Sequence, residues 1–540
     1  GINNIDWDFS AKGTDKAYIP MMDVDSIIYC LENAVRLADG VTHKVTFGDA
    51  NAEELRLVIS SRLIREVNGK GWHVFIGGEE LIALEEEPND LTFIAEEDGL
   101  TISLSTNNQY EYEYRIDGGD WKSIQAYENT PAVSTGQRVS LRGLLTPINS
   151  SRGIGYFTLS AKCSAEGTPM SMLYGNRKIM DSVPKYAFIG LFSGTPLTKV
   201  SKDFLPATTL AAQCYNDMFN ASDIVDAPDL PATIMADSCY RDMFLSCRYL
   251  SKAPELPATT LAQYCYAGMF KFCEGLVHPP TLSATTLSDR CYEEMFYGCD
   301  SLSYAPALIA DTLTFNCYKS MFQECTSLAT APALPAKTLA NYCYQEMFRG
   351  CKSLKSAPEL PATTLKTACY RSMFMQCTGL EVAPALPATS MTGSCYEEMF
   401  IGCTSLKSAP ELPATTLATN CYDSMFKECT ALTSAPNLPS TWLYAYCYES
   451  MFMNCVNLVI GSEIAATNFG NYSCRYMFYG CSKLSYIKAM FTTAPSGKYT
   501  TDWVYGVAPK GTFVKNEAAT WDVTGVNGIP EGWTVETASA

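Results

Sequence analysis

Residues 412–436 of this 540-residue chain have the sequence LPATTLATNCYDSMFKECTALTSAP, and similar copies follow one another along the chain. The first cysteine of each copy marks the period, at 214, 239, 265, 291, 317, 343, 369, 395, 421, 447 and 474. Eight of these ten steps are 26 residues, and 21 of the 23 cysteines lie in the copies. A second cysteine follows eight residues later in most copies, but Ser222 takes its place in the first. Self-similarity at a fixed period predicts a solenoid of stacked repeats.

Apolar residues within one copy recur at every fourth position, at Leu417, Cys421, Met425 and Cys429. A helical turn of 3.6 residues would place them on one face, so this spacing predicts an amphipathic helix. The segment 432–435 that follows is long enough for a strand of three or four residues. Pro436 would end that strand because proline cannot donate a hydrogen bond to a sheet. We therefore predict one helix and one very short strand in each 26-residue coil.

The repeat consensus is Cys-Tyr-x-x-Met-Phe-x-x-Cys-x-x-Leu-x-x-Ala-Pro-x-Leu-Pro-Ala-Thr-Thr-Leu. It resembles the BspA-like leucine-rich repeats of surface proteins of Bacteroidota, and it is also similar to repeats in virion proteins of phages that infect these bacteria. The resemblance implies an α/β leucine-rich-repeat solenoid over residues 179–491. It also implies a secreted or cell-surface protein that acts by binding and adhesion. The alternative is a structural fibre of a phage virion that binds the bacterial surface.

Two predicted modules precede the repeats. Residues 1–90 combine helical patterns at 23–38 and 53–67 with strand patterns at 45–47 and 72–76, which predicts a small α/β module. Residues 91–178 alternate as β-strands do, and 117–120 (Asp-Gly-Gly-Asp) is a hairpin signal. Several short strands at this spacing predict an immunoglobulin-like β-sandwich.

The C-terminal segment 492–540 contains three tryptophans, Trp503, Trp521 and Trp533. The last coil of a solenoid needs a cap to cover its apolar end, and we predict that this segment supplies it. An aromatic site that stacks on sugars is the alternative.

The net charge of -18 argues against a nucleic-acid ligand, because binding to phosphates needs clustered lysine and arginine. No apolar run reaches about 18 residues, so no membrane-spanning helix is expected. The three histidines, His43, His73 and His278, are scattered, and no nucleophile has an obvious acid–base partner. We therefore predict no catalytic residue, no enzymatic activity and no cofactor.

Two other groups of residues bear on metal binding. The cysteine spacing of eight does not match a zinc site, so buried reduced thiols are favoured, with disulfides between coils and metal sites as the alternatives. From Glu79 to Glu113 there are eleven acidic residues and no lysine or arginine. This stretch predicts a solvated connection between domains, and a calcium site is the alternative.

The remaining candidate function lies at variable positions of the predicted strand. These are Asp226, Lys252, His278, Tyr304 and Thr330, directly before an Ala-Pro pair or its equivalent, and Lys355, Glu381 and Lys407, one position earlier. Variation on a constant frame is typical of a recognition surface, although neutral drift at exposed positions gives the same pattern. The expected partner is a host or bacterial surface protein or glycan. The lack of an aromatic stripe among these positions weakens the case for a specific glycan.

Overall fold

The computed structural model describes residues 7–8, 31, 43–47, 64, 67–76, 79–82, 90–106, 112–143, 145, 147, 153–174 and 182–539. The chain divides into two compact units. The first holds Gly1–Thr209 with Pro228–Leu230, and the second holds Leu210–Ala227 with Pro231–Ala540. In the described part of the chain, no helix is long and apolar enough to cross a membrane.

The strands with described bounds are, in chain order, β1 (Trp7–Asp8), β2 (His43–Phe47), β3 (Trp72–Ile76), β4 (Glu79–Glu80), β5 (Leu91–Ala95), β6 (Ile102–Ser105), β7 (Tyr112–Ile116), β8 (Lys122–Ile124), β9 (Arg138–Arg142), β10 (Tyr156–Leu159), β11 (Cys163–Glu166), β12 (Ser182–Val183), β13 (Leu197–Val200), β14 (Thr209–Leu210), β15 (Ile460–Ile464), β16 (Tyr486–Ala489), β17 (Thr512–Asn516) and β18 (Thr534–Ala538). Two helices are described over their full length, and each has only four residues, α1 (Ser171–Tyr174) and α2 (Gly497–Thr500).

The first unit contains a four-stranded sheet in the order β1-β2-β3-β4. Strands β2 and β3 pair in parallel, which confirms the strands predicted at 45–47 and 72–76. Leu31 and Ile64 are helical and buried, but most of the two predicted helices lies outside the described residues. Cys30 and parts of the acidic stretch, 83–89 and 107–111, also lie outside them.

The other main sheet of the first unit has six strands in the order β13-β11-β5-β9-β7-β8, and β6 pairs only with β10. The predicted hairpin is confirmed, because β7 and β8 are antiparallel and Asp117 and Gly118 between them have φ values of 46° and 71°. The immunoglobulin-like β-sandwich is not supported. Its strands would be shared between two antiparallel sheets, whereas here six lie in one sheet and β13 pairs in parallel with β11. Alternation of apolar and polar residues in the sequence identifies strands, but it does not determine which strands pair.

The second unit is a solenoid of stacked coils with short strands, and its repeat architecture confirms the predicted solenoid. The predicted helix in each coil is wrong. Residues 420–429, which we call a turn run together with their equivalents in other coils, form consecutive tight turns. Asn420, Ser424 and Glu428 have φ values of 58°, 55° and 63°, and the equivalent positions of the other coils are also left-handed. A right-handed α-helix cannot contain a left-handed residue at every fourth position, because the backbone of such a residue has the opposite hand.

Hydrogen bonds explain why the turn run replaces a helix. The amide N–H groups of Asp423 and Met425 donate within the coil, to the carbonyl groups three residues earlier. The intervening amides of Tyr422 and Ser424 donate to Cys447 and Glu449 in the next coil, at 3.1 and 2.8 Å. A helix would satisfy nearly all of these N–H groups internally and leave none to join the coils. A turn every four residues buries the same apolar positions that the helical interpretation grouped together.

The predicted strand is shorter still than expected. In most coils it is a single residue that forms a parallel bridge to its equivalent, as Ser356 does with Val382 and Ser434 does with Ile460. Within the second unit, longer parallel pairing appears at the C-terminal end, where β15 to β18 form a four-stranded sheet. Residues 492–539 belong to the same compact unit as the repeats.

Stacked aromatic rings fill the core of the coils. The tyrosines that follow the first cysteines, Tyr215 to Tyr448, stack with ring centroids 5.6–6.1 Å apart. The phenylalanines from Phe219 to Phe478 stack at 5.5–5.7 Å. Both sets are buried, so each coil covers its neighbour's rings and the core is continuous.

The last cysteine pair departs from the register that the sequence suggests. Tyr472 stacks on Tyr446, and the amide of Tyr448 donates to the carbonyl of Ser473. Ser473 therefore occupies the position of the first cysteine, and Cys474 occupies the position of the core tyrosine. The shift of one residue explains the final step of 27 between first cysteines.

Candidate recognition surface

The eight predicted recognition residues lie in two neighbouring columns along the second unit. The first, the bridge column, consists of the residues that form the single-residue bridges and includes Asp226, Lys252, His278, Tyr304 and Thr330. The second, the flanking column, lies one residue earlier in each coil and includes Lys355, Glu381 and Lys407. Seven of the eight are exposed and Glu381 is half-buried.

Members of the bridge column pair through the backbone from coil to coil, and His278 and Tyr304 also contact each other through their side chains. Lys252 bridges both Asp226 and His278 through the backbone, and Tyr304 bridges Thr330. The Nδ1 atom of His278 lies 3.3 Å from the hydroxyl oxygen of Tyr304. Parallel pairing spaces neighbouring strands by about 4.8 Å, so a ligand lying along the column would meet a different side chain at each step.

The flanking column carries an ion-pair ladder. Lys407 donates to a carboxylate oxygen of Glu381 at 2.6 Å, and the ammonium of Lys355 lies 4.0 Å from the other oxygen. The hydrogen bond from Lys407 lowers the pKa of Glu381, with the charges of both lysines adding to the effect. Since these groups face water, the ladder fixes side-chain positions more than it stabilises the fold.

The turn runs carry a second column of charged residues, which are buried or half-buried and which sequence reasoning did not assemble. Arg371, Glu397, Asp423, Glu449 and Arg475 are equivalent residues of five successive coils, and we call them the acid column. Arg371 pairs with Glu397 at 3.1 Å and Arg475 pairs with Glu449, so each arginine closes one end. Asp423 lies between two carboxylates. The 26-residue offset between these positions is the signal in the sequence that could have identified the column.

Asp423 is the most perturbed member of the acid column. Burial, together with the charges of Glu449, Glu397 and Glu398, raises its pKa to about 7, against a lowering hydrogen bond from Ser424. Burial likewise raises the pKa of Asp217, in the first coil of this unit, to about 6. Within the described residues, no group of three His, Cys, Asp or Glu side chains is placed to hold a metal ion.

The 21 repeat cysteines are free and buried. Burial raises the pKa of their thiols, for example to about 12 in Cys377 and Cys455. A thiol with such a pKa is protonated at neutral pH and is a poor nucleophile and metal ligand. The cysteines therefore act as core residues, as the sequence favoured.

Aromatic residues take different roles in the tail and on the surface. The indole N–H groups of Trp503, Trp521 and Trp533 donate to backbone carbonyls at 2.7–3.0 Å, and all three rings are buried, which leaves no open face for a sugar. Trp442 and Tyr444, by contrast, are 60% and 46% exposed. Both residues lie outside the predicted strand, whose positions lack an aromatic stripe, so the sequence did not predict this pair.

No family model matches this chain, and no curated protein matches it either.

Proposed function

We propose that this chain is a binding protein whose solenoid presents a recognition surface for a host or bacterial surface protein or glycan. The observation that carries the proposal is the bridge column. Its backbone pairing continues from Asp226 through Lys252 to His278, while the exposed side chain changes from acid to base to imidazole. A backbone that repeats from coil to coil while its exposed side chains differ is suited to selective binding, because the surface can vary without any change to the core.

The physical separation between core and surface supports this proposal. Each coil buries its tyrosine, phenylalanine, methionine and cysteines, and the tyrosine and phenylalanine rings stack on the equivalent rings of the next coil. The bridge and flanking columns take no part in that stack. Their charges, with the ion-pair ladder of Lys355, Glu381 and Lys407, are available to a partner.

We infer a BspA-like leucine-rich-repeat protein that is secreted and acts in adhesion at the surface of a bacterium of the Bacteroidota. The repeat consensus supports this assignment. Measurement of the native mass by light scattering separates it from the phage alternative, because a trimer would favour a virion fibre and a monomer favours the surface adhesin.

The experiment is a screen of the full chain against host matrix proteins, bacterial surface proteins and cell-surface glycans. The variant K252S/H278S/Y304S then tests the column, because serine already stands at the equivalent positions Ser356, Ser408 and Ser434. We expect the variant to bind the identified partner at least tenfold more weakly.

The matched control is Lys352→Thr. It removes one positive charge at an exposed site outside both columns, and it restores the threonine of the next coil, Thr378. The control should bind like the parent chain. Equal binding by the triple variant and the parent would remove the bridge column as the recognition surface.

A further inference from the structure

One coil of the solenoid carries a surface feature that the neighbouring coils lack. Residues 438–445 have the sequence LPSTWLYA, whereas the preceding coil has LPATTLAT at 412–419. Four exchanges distinguish the two segments, Ser440 for alanine, Trp442 for threonine, Tyr444 for alanine and Ala445 for threonine. From 369 to 441 the only aromatic residues are the core tyrosines and phenylalanines, so exposed rings begin abruptly at Trp442.

Both new rings face outward. Trp442 is 60% exposed and Tyr444 is 46% exposed, while Leu443 between them is buried. No ring contact to Trp442 or Tyr444 is found among the described residues. Trp442 is also the one exposed tryptophan whose side chain is described.

The backbone under these rings is held in place. The hydroxyl of the fully buried Ser440 lies 2.9 Å from the carbonyl oxygen of Trp442 and 3.1 Å from that of Thr415 in the preceding coil. Gly470 in the following coil packs against the same segment, since a Cβ atom there would lie 2.5 Å from the carbonyl carbon of Tyr444. Two rings on a fixed backbone lose little conformational entropy when a ligand binds.

We propose that Trp442 and Tyr444 form a binding site for an uncharged glycan, with one sugar ring stacked on each aromatic ring. An aromatic ring offers an apolar face to the C–H groups of a sugar, and the indole N–H and phenol O–H groups supply hydrogen bonds to its hydroxyls. The chain's net charge of -18 opposes an acidic polysaccharide, and no arginine or lysine lies in 438–445. This site rests on the proposed binding function and names its ligand class.

The test is isothermal titration of the full chain with cellohexaose, mannohexaose, xylohexaose and N-acetylchitohexaose. We expect at least one of them to bind and the variant W442T/Y444A to weaken that binding at least tenfold. The variant restores the residues of the preceding coil, Thr416 and Ala418, so its thermal midpoint should match that of the parent. Tryptophan emission should also shift on binding in the parent and not in Trp442→Thr, which reports the site without a comparison of affinities.

The control is Tyr249→Ser, which removes a 62% exposed tyrosine elsewhere on the solenoid and should leave binding within twofold of the parent. Binding of none of the four oligosaccharides, or equal binding by W442T/Y444A and the parent, would overturn the proposal. If the screen of the preceding section finds a protein partner that binds independently of Trp442 while no oligosaccharide binds, the binding function stands and this glycan site falls.

Discussion

The thiol of Cys455 donates a hydrogen bond to the carbonyl oxygen of Phe426, 3.0 Å away in the preceding coil. That carbonyl also accepts the amide N–H of Cys429 at 3.1 Å. Nine other second cysteines make the same contact between coils. This buried position needs a small side chain that can donate one hydrogen bond to the preceding coil. Cysteine meets both needs, which explains why cysteine recurs here although it forms neither a disulfide nor a metal site.

Removing this donor from a central coil should therefore destabilise the solenoid. We expect Cys403→Ala to lower the free energy of unfolding by about 1–2 kcal/mol, because it deletes the sulfur and the hydrogen bond to Phe374. Cys403→Ser keeps a donor and should cost less, as Ser222 already occupies this position in the first coil. Urea unfolding followed by circular dichroism measures both. Equal losses for the two variants would mean that the hydrogen bond contributes nothing.

The repeat thiols should be unreactive until the chain unfolds. Their burial and raised pKa values leave almost no thiolate at pH 8, so a disulfide reagent should label few of them in the native protein. In guanidinium chloride without reductant, all 21 repeat cysteines should react. A low thiol count in the denatured chain would instead show disulfides between coils.

The stability of the solenoid should fall as pH rises from about 4 to above 7. Asp423 has a folded-state pKa of about 7 against an ordinary value of 3.8, so the folded chain binds its proton more tightly than the unfolded chain. The contribution is complete below the unfolded pKa and is lost as pH rises through the folded pKa, where the new charge faces Glu397 and Glu449. Thermal midpoints measured between pH 4 and 8 should show the decline.

Asp423→Asn tests the origin of this dependence. The amide cannot ionise, so the variant should be more stable than the parent at pH 8 and should vary less with pH. Arg371 and Arg475, which pair with the two flanking carboxylates, remain in place. A variant whose midpoint follows the parent's pH profile would locate the titrating group elsewhere, with Asp217 the next candidate.

Glycine substitutions distinguish the turn run from a helix. Glu428 has a φ of 63°, a region that costs a side-chain-bearing residue about 1 kcal/mol or more, so Glu428→Gly should raise the unfolding midpoint. Lys427→Gly, at a neighbour outside that region, should lower it, because glycine there only adds entropy to the unfolded chain. In a helix both changes would destabilise. Parallel urea titrations of the two variants decide between these outcomes.

The same residues show what the sequence could and could not predict. The period of 26 and the apolar set Leu417, Cys421, Met425 and Cys429 were predicted, and all four are buried. Their local geometry was not, because a turn every four residues and a helix of 3.6 residues per turn give nearly the same spacing over three turns. The turn run differs from a helix in the amides that donate to the next coil. Their acceptors lie 25 residues away, so the spacing of apolar residues within one copy cannot reveal these hydrogen bonds.

The candidate surface was predicted in part for a related reason. The bridge column lies at the same position of every copy, so its members could be found by alignment of the copies, and they are exposed as expected. Trp442 and Tyr444 depart from the consensus in a single copy, outside the positions that were compared. The acid column requires residues of five coils to be placed side by side, which follows only from the register of stacking.

The tryptophans of the tail should stabilise the C-terminal end of the solenoid. Trp503 is fully buried beyond the last ring of the phenylalanine stack, with its centroid 6.1 Å from that of Phe478, and its indole donates to Gly528 at 2.8 Å. Trp503→Ala should therefore cost about 3–5 kcal/mol locally. Because each coil contacts only its neighbours, the loss should remain near the end.

Hydrogen exchange with mass spectrometry measures that locality. In Trp503→Ala, amides of β16, β17 and β18 should exchange faster, while those of the coils at 291–343 should keep the parent's rates. Trp442→Thr serves as the control, since it removes an exposed tryptophan and should alter exchange in neither region. Faster exchange along the whole solenoid would show that the coils unfold as one cooperative unit. Unchanged exchange in β16 to β18 would show that Trp503 does not hold the end, and the capping role would then pass to Trp521 and Trp533.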